Sequence, residues 1–313
     1  MSEPKSLTVN AYGLADTNAS MLLTRTDLKG RMRKSSFEIE VLEDDNRGQM
    51  LQKRGRPLQG RTFRVWNKLA STVNWETIID IGANYGEMIF FSDIRRDQRI
   101  ISIEPNLNLK PCLRNNLKSF SNVTFLECAI ADRSGEFYLK VDVNHSGKSS
   151  LSKSQTNQIV RAMTITKLLD LASGPNILVK VDIEGGEIQI LPSICASSKA
   201  NIVFFIETQS FGSTEYMLLF QYFTVLCIDS NFKPIWEITD RNCKNFVQSS
   251  LQGRNCILVP IHFAHQINIE KLRPFRWFVM EVFAGVSYIL MERFKVIKLK
   301  LFTPDARPEM FSA

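Results

Sequence analysis

The run Thr77-Ile78-Ile79-Asp80-Ile81-Gly82-Ala83-Asn84-Tyr85-Gly86-Glu87 sets a carboxylate, Asp80, just ahead of two glycines. Such a stretch is equipped to hold a ligand: the acid brings charge, and the glycines let the backbone approach closely. A helix expected to start near Gly86 would aim its free N–H groups at the same place. A second apolar run, Ile100-Ile101-Ser102-Ile103, ends in Glu104, which follows Gly82 by 22 residues. A separation of about 20 residues puts an acid on a ribose hydroxyl in a nucleotide-binding βαβ unit. Two more apolar runs end in acids, Ile177–Val181 in Asp182 and Asn201–Ile206 in Glu207. Asp80, Glu104, Asp182 and Glu207 together read as the acidic rim of one site.

That reading requires elements that bring the four runs side by side. Strands are expected at Thr77–Ile81, Arg99–Ile103, Val123–Cys128, Ile177–Val181, Asn201–Ile206, Phe223–Ile228 and Asn255–Pro260. Helices are expected near 87–94, 111–119, 165–171, 187–191 and 214–222, with a half-exposed strand at Phe37–Leu42 and a helix carrying Phe63, Val65, Trp66 and Leu69 ahead of the first core strand. Strands alternating with helices make an α/β domain whose mostly parallel sheet is covered on both faces and binds ligands at the carboxyl ends of its strands. The polar, Ser-rich stretch Asn144–Asn157 is expected as a loop over the site.

Composition bounds the rest. The chain has 313 residues, 44% hydrophobic and 23% charged, as in an ordinary folded protein. Its net charge of +7 lies at the ends: residues 1–66 hold 12 Lys/Arg against 8 Asp/Glu, while 67–265 hold 19 of each. A neutral middle argues against a polyanion gripped at the central site, so nucleic acid is not the expected partner. The six cysteines form no C-x-x-C pair or metal-ligand cluster, and Met1-Ser2-Glu3-Pro4-Lys5 lacks a secretory apolar core, so buried thiols in the cytoplasm are expected. Basic stretches at 29–36 and 53–57 read as solvated surface. The apolar run Trp277–Met291 spans 15 residues with Glu281 inside it, short of the roughly 20 needed to cross a bilayer. It reads as a helix packed on the protein or, through its basic flanks over 273–300, as a peripheral contact with the inner face of a membrane. Three regions follow: an N-terminal extension over 1–60, an α/β domain over 61–262 and a C-terminal helical extension over 263–313.

The glycine turn with its later acid suits either a dinucleotide or S-adenosylmethionine. The pattern D-x-G-x-x-x-G favours the second, because Asp80 ahead of Gly82 can meet an ammonium and would repel a pyrophosphate. Lys180-Val181-Asp182-Ile183-Glu184-Gly185-Gly186-Glu187, taken with Asp80–Gly86 and Ile206-Glu207, resembles the FkbM family of S-adenosylmethionine-dependent methyltransferases over about residues 77–260. The resemblance implies a seven-stranded class I, Rossmann-like methyltransferase fold and O-methylation of a hydroxyl on a sugar, glycan, glycolipid or other small molecule. It implies that Asp80, Gly82, Ala83, Asn84 and Gly86 hold the methionine part, Glu104 the ribose, and Cys128 and Ala129 the adenine. The chain departs from the family where Thr164-Ile165 is followed by Thr166 instead of an acid.

A hydroxyl acceptor needs its proton removed as the methyl is transferred. Asp182 is the first candidate base, with Glu184 and Glu207 as the others. Glu184 and Glu187 also suit the N-terminus of the helix that begins there. The same three candidates could hold a divalent ion through oxygen, although no metal is expected, and His145 in the Ser-rich loop could face the acceptor. Two alternatives stay open: an RNA ribose methyltransferase, against which Glu207 stands where a lysine is wanted, and a nicotinamide-binding or non-catalytic α/β module.

Overall fold

The structure is a computed structural model that describes residues 4–8, 21–26, 32–95, 97–156, 158–228, 236–248, 255–268 and 272. The first elements are β1 (Pro4–Thr8), β2 (Met21–Thr26), β3 (Met32–Leu42), α1 (Asn46–Arg54), α2 (Gly60–Thr72), β4 (Thr77–Ile81), α3 (Glu87–Phe90), β5 (Arg99–Ile103) and α4 (Lys110–Asn116). Next come β6 (Val123–Leu126), β7 (Ala129–Ile130), β8 (Gly135–Lys140), β9 (Ser150–Ser152), β10 (Gln158–Met163), α5 (Ile165–Leu169), β11 (Asn176–Val181) and α6 (Glu187–Ala196). The domain closes with β12 (Asn201–Glu207), α7 (Ser213–Leu219), β13 (Phe223–Ile228), β14 (Trp236–Ile238), α8 (Asp240–Gln248) and β15 (Asn255–Pro260).

The central sheet has the order β14-β13-β15-β12-β11-β4-β5-β6. Strands β12, β11, β4, β5 and β6 run parallel, and β15 is inserted antiparallel between β12 and β13. This is the seven-stranded class I methyltransferase sheet with a short eighth strand, β14, paired to its β13 edge. Its central strands are runs of β-branched residues because both faces are covered: every residue of β4 is buried. Helix α2 covers one face with Val65, Trp66 and Leu69, all fully buried, and the Trp66 and Phe205 rings meet edge-on at 5.5 Å. Two small sheets flank the main one, β1-β3-β2 and β7-β10-β8-β9.

Residues 1–272 form one compact unit and 273–313 another. Within the first unit the backbone of Glu40 in β3 both donates to and accepts from the Asn116 side chain of α4, at 2.6 and 3.0 Å. The N-terminal segment is thereby tied to the α/β domain. The Trp277–Met291 run lies outside the described residues. Among the described residues no helix is long and apolar enough to cross a membrane. All six cysteines are buried thiols.

Some elements differ from expectation for identifiable reasons. Helix α3 stops at Phe90, not near Ile94, and the Asn67 side chain then takes the Asp93 N–H at 2.7 Å. Helix α6 runs through Pro192, where the sequence reading ended it; Ile194 and Cys195 are buried, and their packing outweighs the lost hydrogen bond. The basic stretch at 53–57 begins within the last turn of α1, whose Gly55 cap adopts left-handed φ 58°.

Candidate active site

Parallel pairing aligns Val181 with Ile81 and Ile206, and Ile81 with Ile103. The residues one step further along each strand, Gly82, Glu104, Asp182 and Glu207, therefore stand in a row at the carboxyl edge of the sheet. Three of the four expected rim acids are in that row. Asp80 sits two residues lower, in register with Lys180 and Ser102.

That offset buries Asp80 completely, with the Lys180 ammonium 3.3 Å from its Oδ1 and no hydrogen-bond partner for either carboxylate oxygen. Lys180 also stands 3.3 Å from Asp182 Oδ2. Burial works against the lysine's charge, but Asp80 and Asp182 outweigh it and hold its pKa above the ordinary range, while burial pushes the Asp80 carboxyl up. Asp80 thus lies beneath the turn and lines neither of the cavities described below, unlike the sequence reading in which it meets a ligand ammonium directly.

Gly82 forms the bare floor of the row. Its φ is +75°, and a Cβ there would stand 1.8 Å from the Asp182 carbonyl oxygen. Gly86, also left-handed, caps α3 and lies against Leu113 of α4 and Leu117 just past its end. Between them Asn84 adopts φ +53° without being glycine, a strained conformation of the kind that gathers at functional sites. Its backbone N–H donates to Glu104 Oε2 at 2.8 Å, and the Asn106 N–H donates to Oε1 at 2.9 Å. Burial outweighs these amides and pushes the Glu104 carboxyl up to about 7.

A cleft of about 970 Å³, counted out to open solvent, runs along this edge. Of the residues singled out from the sequence, Gly82, Asn84, Glu104, Cys128, Ala129, Asp182 and Glu184 line it. Ala83 lines a smaller adjoining cavity. Glu207 is half-buried at the end of β12 and belongs to the lining of neither. Its carboxyl is pushed up to about 8 by burial and then by Asp182, Glu184 and Glu187. Glu184 adopts φ +54° at the solvent-exposed mouth of the cleft, where partial desolvation of its carboxyl and the neighbouring Asp182 charge raise its pKa to about 7. Glu187 shapes this corner by accepting the backbone N–H groups of Ile183 and Gly185 at 2.8 and 2.9 Å. Among the described residues no three His, Cys, Asp or Glu side chains are placed to hold a metal ion together, Asp182, Glu184 and Glu207 included.

The Ser-rich loop does reach the site: Ser146, Gly147, Ser149 and Ser150 line the cleft, whereas His145 does not. What holds the loop there was missed in the sequence. Asp45, 3% exposed, caps α1 by accepting from the Gly48 N–H at 3.0 Å. It also accepts from the Ser146 N–H and Oγ at 2.7 and 2.8 Å and from the Tyr85 hydroxyl at 2.7 Å. Asn84 Nδ2 donates to the same Ser146 Oγ at 3.1 Å. Arg47, two residues after Asp45, was also missed. It pairs with the buried Glu87 and lines both cavities. The available signal was Asp45 as a helix N-cap ahead of Gly55 as a C-cap.

The donor set fits S-adenosylmethionine. Ile103, Cys128, Ala129, Ile130 and Leu139 give the cleft an apolar side suited to a purine, and Glu104 offers a carboxylate to a ribose diol. Asp182 and Glu184 give the other side negative charge suited to a sulfonium and an ammonium.

Comparison with known proteins bears on the same residues. Residues 80–233 match the family model described as the methyltransferase FkbM domain. No curated protein matches the chain. Among solved structures the chain is similar to the precorrin-6y C5,15-methyltransferase of Geobacter metallireducens GS-15, at 15% identity and a TM-score of 0.33, over 62% of this chain and 84% of that one. It is likewise similar to the O-methyltransferase TomG of Streptomyces achromogenes, involved in tomaymycin synthesis and solved in complex with SAM. That match has 12% identity and a TM-score of 0.37, over 64% of this chain and 79% of that one. With an FkbM methyltransferase domain over residues 80–233, a class I sheet and a cleft whose donor set suits the methyl donor, the protein is a methyltransferase that uses S-adenosylmethionine.

Proposed function

We propose that the protein methylates a hydroxyl group, on a sugar, glycan, glycolipid or similarly hydroxylated small molecule, with Glu184 as the general base. The observation that carries this reading is the Glu184 carboxyl itself. It lines the cleft in a left-handed conformation, with its pKa raised to about 7. A base poised near neutral pH is matched to removing a hydroxyl proton. Asp182, the first candidate in the sequence, is held by Lys180 at 3.3 Å and contributes instead by raising Glu184. The serines of the loop and Gln189 supply hydrogen-bonding groups of the kind a hydroxylated acceptor uses.

S-adenosylmethionine, when bound, supplies an already activated methyl group, so the protein's task is alignment and proton removal. Glu104 would hold the ribose, and the Cys128–Ile130 side the adenine. Asp182 would keep the acceptor end of the cleft negative, and Glu184 would take the hydroxyl proton at a carboxylate oxygen. A cytoplasmic setting and a peripheral membrane contact through residues 273–300 complete the proposal. The contact is tested by whether removing residues 266–313 abolishes sedimentation with vesicles.

Two measurements test the reaction. Calorimetry with S-adenosylhomocysteine should show binding by the wild type. Transfer of labelled methyl from S-adenosylmethionine to a panel of hydroxylated acceptors should then fall about 10²–10⁴-fold in Glu184→Gln, with binding of S-adenosylhomocysteine weakened far less, by at most about tenfold. Full turnover by Glu184→Gln would remove Glu184 from the role, and transfer only to nitrogen or carbon acceptors would overturn O-methylation.

A further inference from the structure

The smaller cavity lies against Gly82, Ala83, Lys180 and Asp182, under the start of α2, and opens to about 450 Å³ counted out to solvent. Arg47, Gly82 and Asp182 line both cavities, so they form the wall the two share. Arg47 is the unexplained member of that wall. Its Nη2 donates to Glu87 Oε1, its Nε is buried with no hydrogen-bond partner, and its side chain retains 19% exposure. A guanidinium carries five donors in a planar fork suited to a carboxylate. Burial works against its charge, yet Glu87 and Asp182 more than offset this and keep it ionised.

The charge around this wall selects the kind of carboxylate. Asp80, Glu87 and Asp182 face Lys180 and Arg47, three acids against two cations, and Glu184 adds a further acid to the large cleft. An acceptor bearing a net negative charge, such as a phosphate or a uronate, would meet a surplus of like charge there. A zwitterionic amino acid attached to a cationic sulfonium meets complementary charge throughout. We propose that Arg47 is a donor-binding residue that takes the α-carboxylate of the methionine part of S-adenosylmethionine. It does so from a helix outside the stretch matched by the family model. The inference rests on the methyl-donor reading of the large cleft.

The test compares two ligands that differ in this one part. S-adenosylhomocysteine carries the amino acid; 5′-methylthioadenosine keeps the adenine, ribose and sulfur and lacks it. Titration calorimetry on the wild type and Arg47→Met should show S-adenosylhomocysteine affinity lowered about 10- to 100-fold. Methylthioadenosine affinity should change less than about twofold and so report an intact site. Equal affinity of both ligands for wild type and variant overturns the proposal. An equal loss for both ligands also overturns it, because Arg47 would then act on the shape of the site and not on the carboxylate. If Arg47→Met does not fold, Arg47→Lys carries the same comparison: a loss confined to S-adenosylhomocysteine supports the role, and an unchanged ratio overturns it. Failure of the wild type to bind either ligand would overturn the donor reading itself, an outcome distinct from every result on the variants.

Discussion

The Asp182 carbonyl oxygen lies 1.8 Å from where a Cβ on Gly82 would stand, so β4 and β11 meet at the floor of the cleft through bare backbone. Gly82→Ala must shift the Asp182 backbone and also hold a left-handed φ of +75°. The expected cost is at least about 2 kcal/mol of stability together with loss of S-adenosylhomocysteine binding. Denaturant unfolding and calorimetry check both; a variant matching the wild type in each would contradict the close approach.

Lys180→Met removes the only cation within salt-bridge reach of Asp80 among the described residues. An uncompensated charge in a site with 0% exposure is expected to cost about 3–5 kcal/mol. Adding Asp80→Asn should recover part of that loss, because the buried charge disappears with its partner. The check is a double-mutant cycle by denaturant unfolding. If the double variant is as unstable as the sum of the two single ones, the pair is not coupled.

Asp45→Ala deletes the acceptor of four hydrogen bonds at once, from Gly48, Tyr85 and twice from Ser146. Loss of the cap and of buried partners together is expected to cost about 2–4 kcal/mol. The loop around Ser146 should become cleavable by protease at concentrations that leave the wild type intact, and S-adenosylhomocysteine should protect it less. Asp45→Asn, which keeps one acceptor oxygen, should fall between the two.

The pH dependence of stability should run opposite to ordinary acid unfolding over one window. Glu104 is raised from 4.5 to about 7 and Glu207 from 4.5 to about 8, each chiefly by burial, whereas Glu184 is solvent-exposed and adds little. The folded state therefore holds more protons than the unfolded chain between these values. The stabilisation is fully present below pH 4.5 and is lost as pH rises through 7 to 8. Glu207→Gln should raise the melting temperature by about 2–4 °C per kcal/mol recovered when measured at pH 8, and by almost nothing at pH 4. Binding of S-adenosylhomocysteine should show the other sign: it strengthens as Glu104 ionises to accept the ribose hydroxyls, and Glu104→Gln should flatten that profile.

Much of this architecture is written locally. β4, β5, β13 and β15 have the bounds read from the sequence, because each is a largely apolar run closed by a glycine, an acid or a proline. Gly82, Glu104 and Asp182 were legible for a related reason: each is the first residue past a buried parallel strand, and in-register pairing carries all three to one edge. Asp80 was misjudged because counting acids near strand ends ignores the two-residue period that turns its side chain onto Lys180. Asp45 and Arg47 carried no local mark of a site. The contact that makes Asp45 matter joins it to Ser146 across 101 residues, a separation no window along the chain can span. Nor does spacing separate Glu184 from Asp182, since the difference lies in what Lys180 touches.

The tie between Asp45 and Ser146 also limits how portable the enzyme is. The recognisable family stretch opens at Asp80, downstream of Asp45, Arg47 and all of α2. A fragment cut at that point would leave Tyr85, Glu87 and Ser146 without their upstream partners and bare the Phe205 ring that Trp66 covers. Shuffling such domains at their homology borders would therefore transplant a sheet with an exposed apolar flank and an unlatched loop. The smallest exchangeable piece starts no later than β3, whose Glu40 is hydrogen-bonded to Asn116.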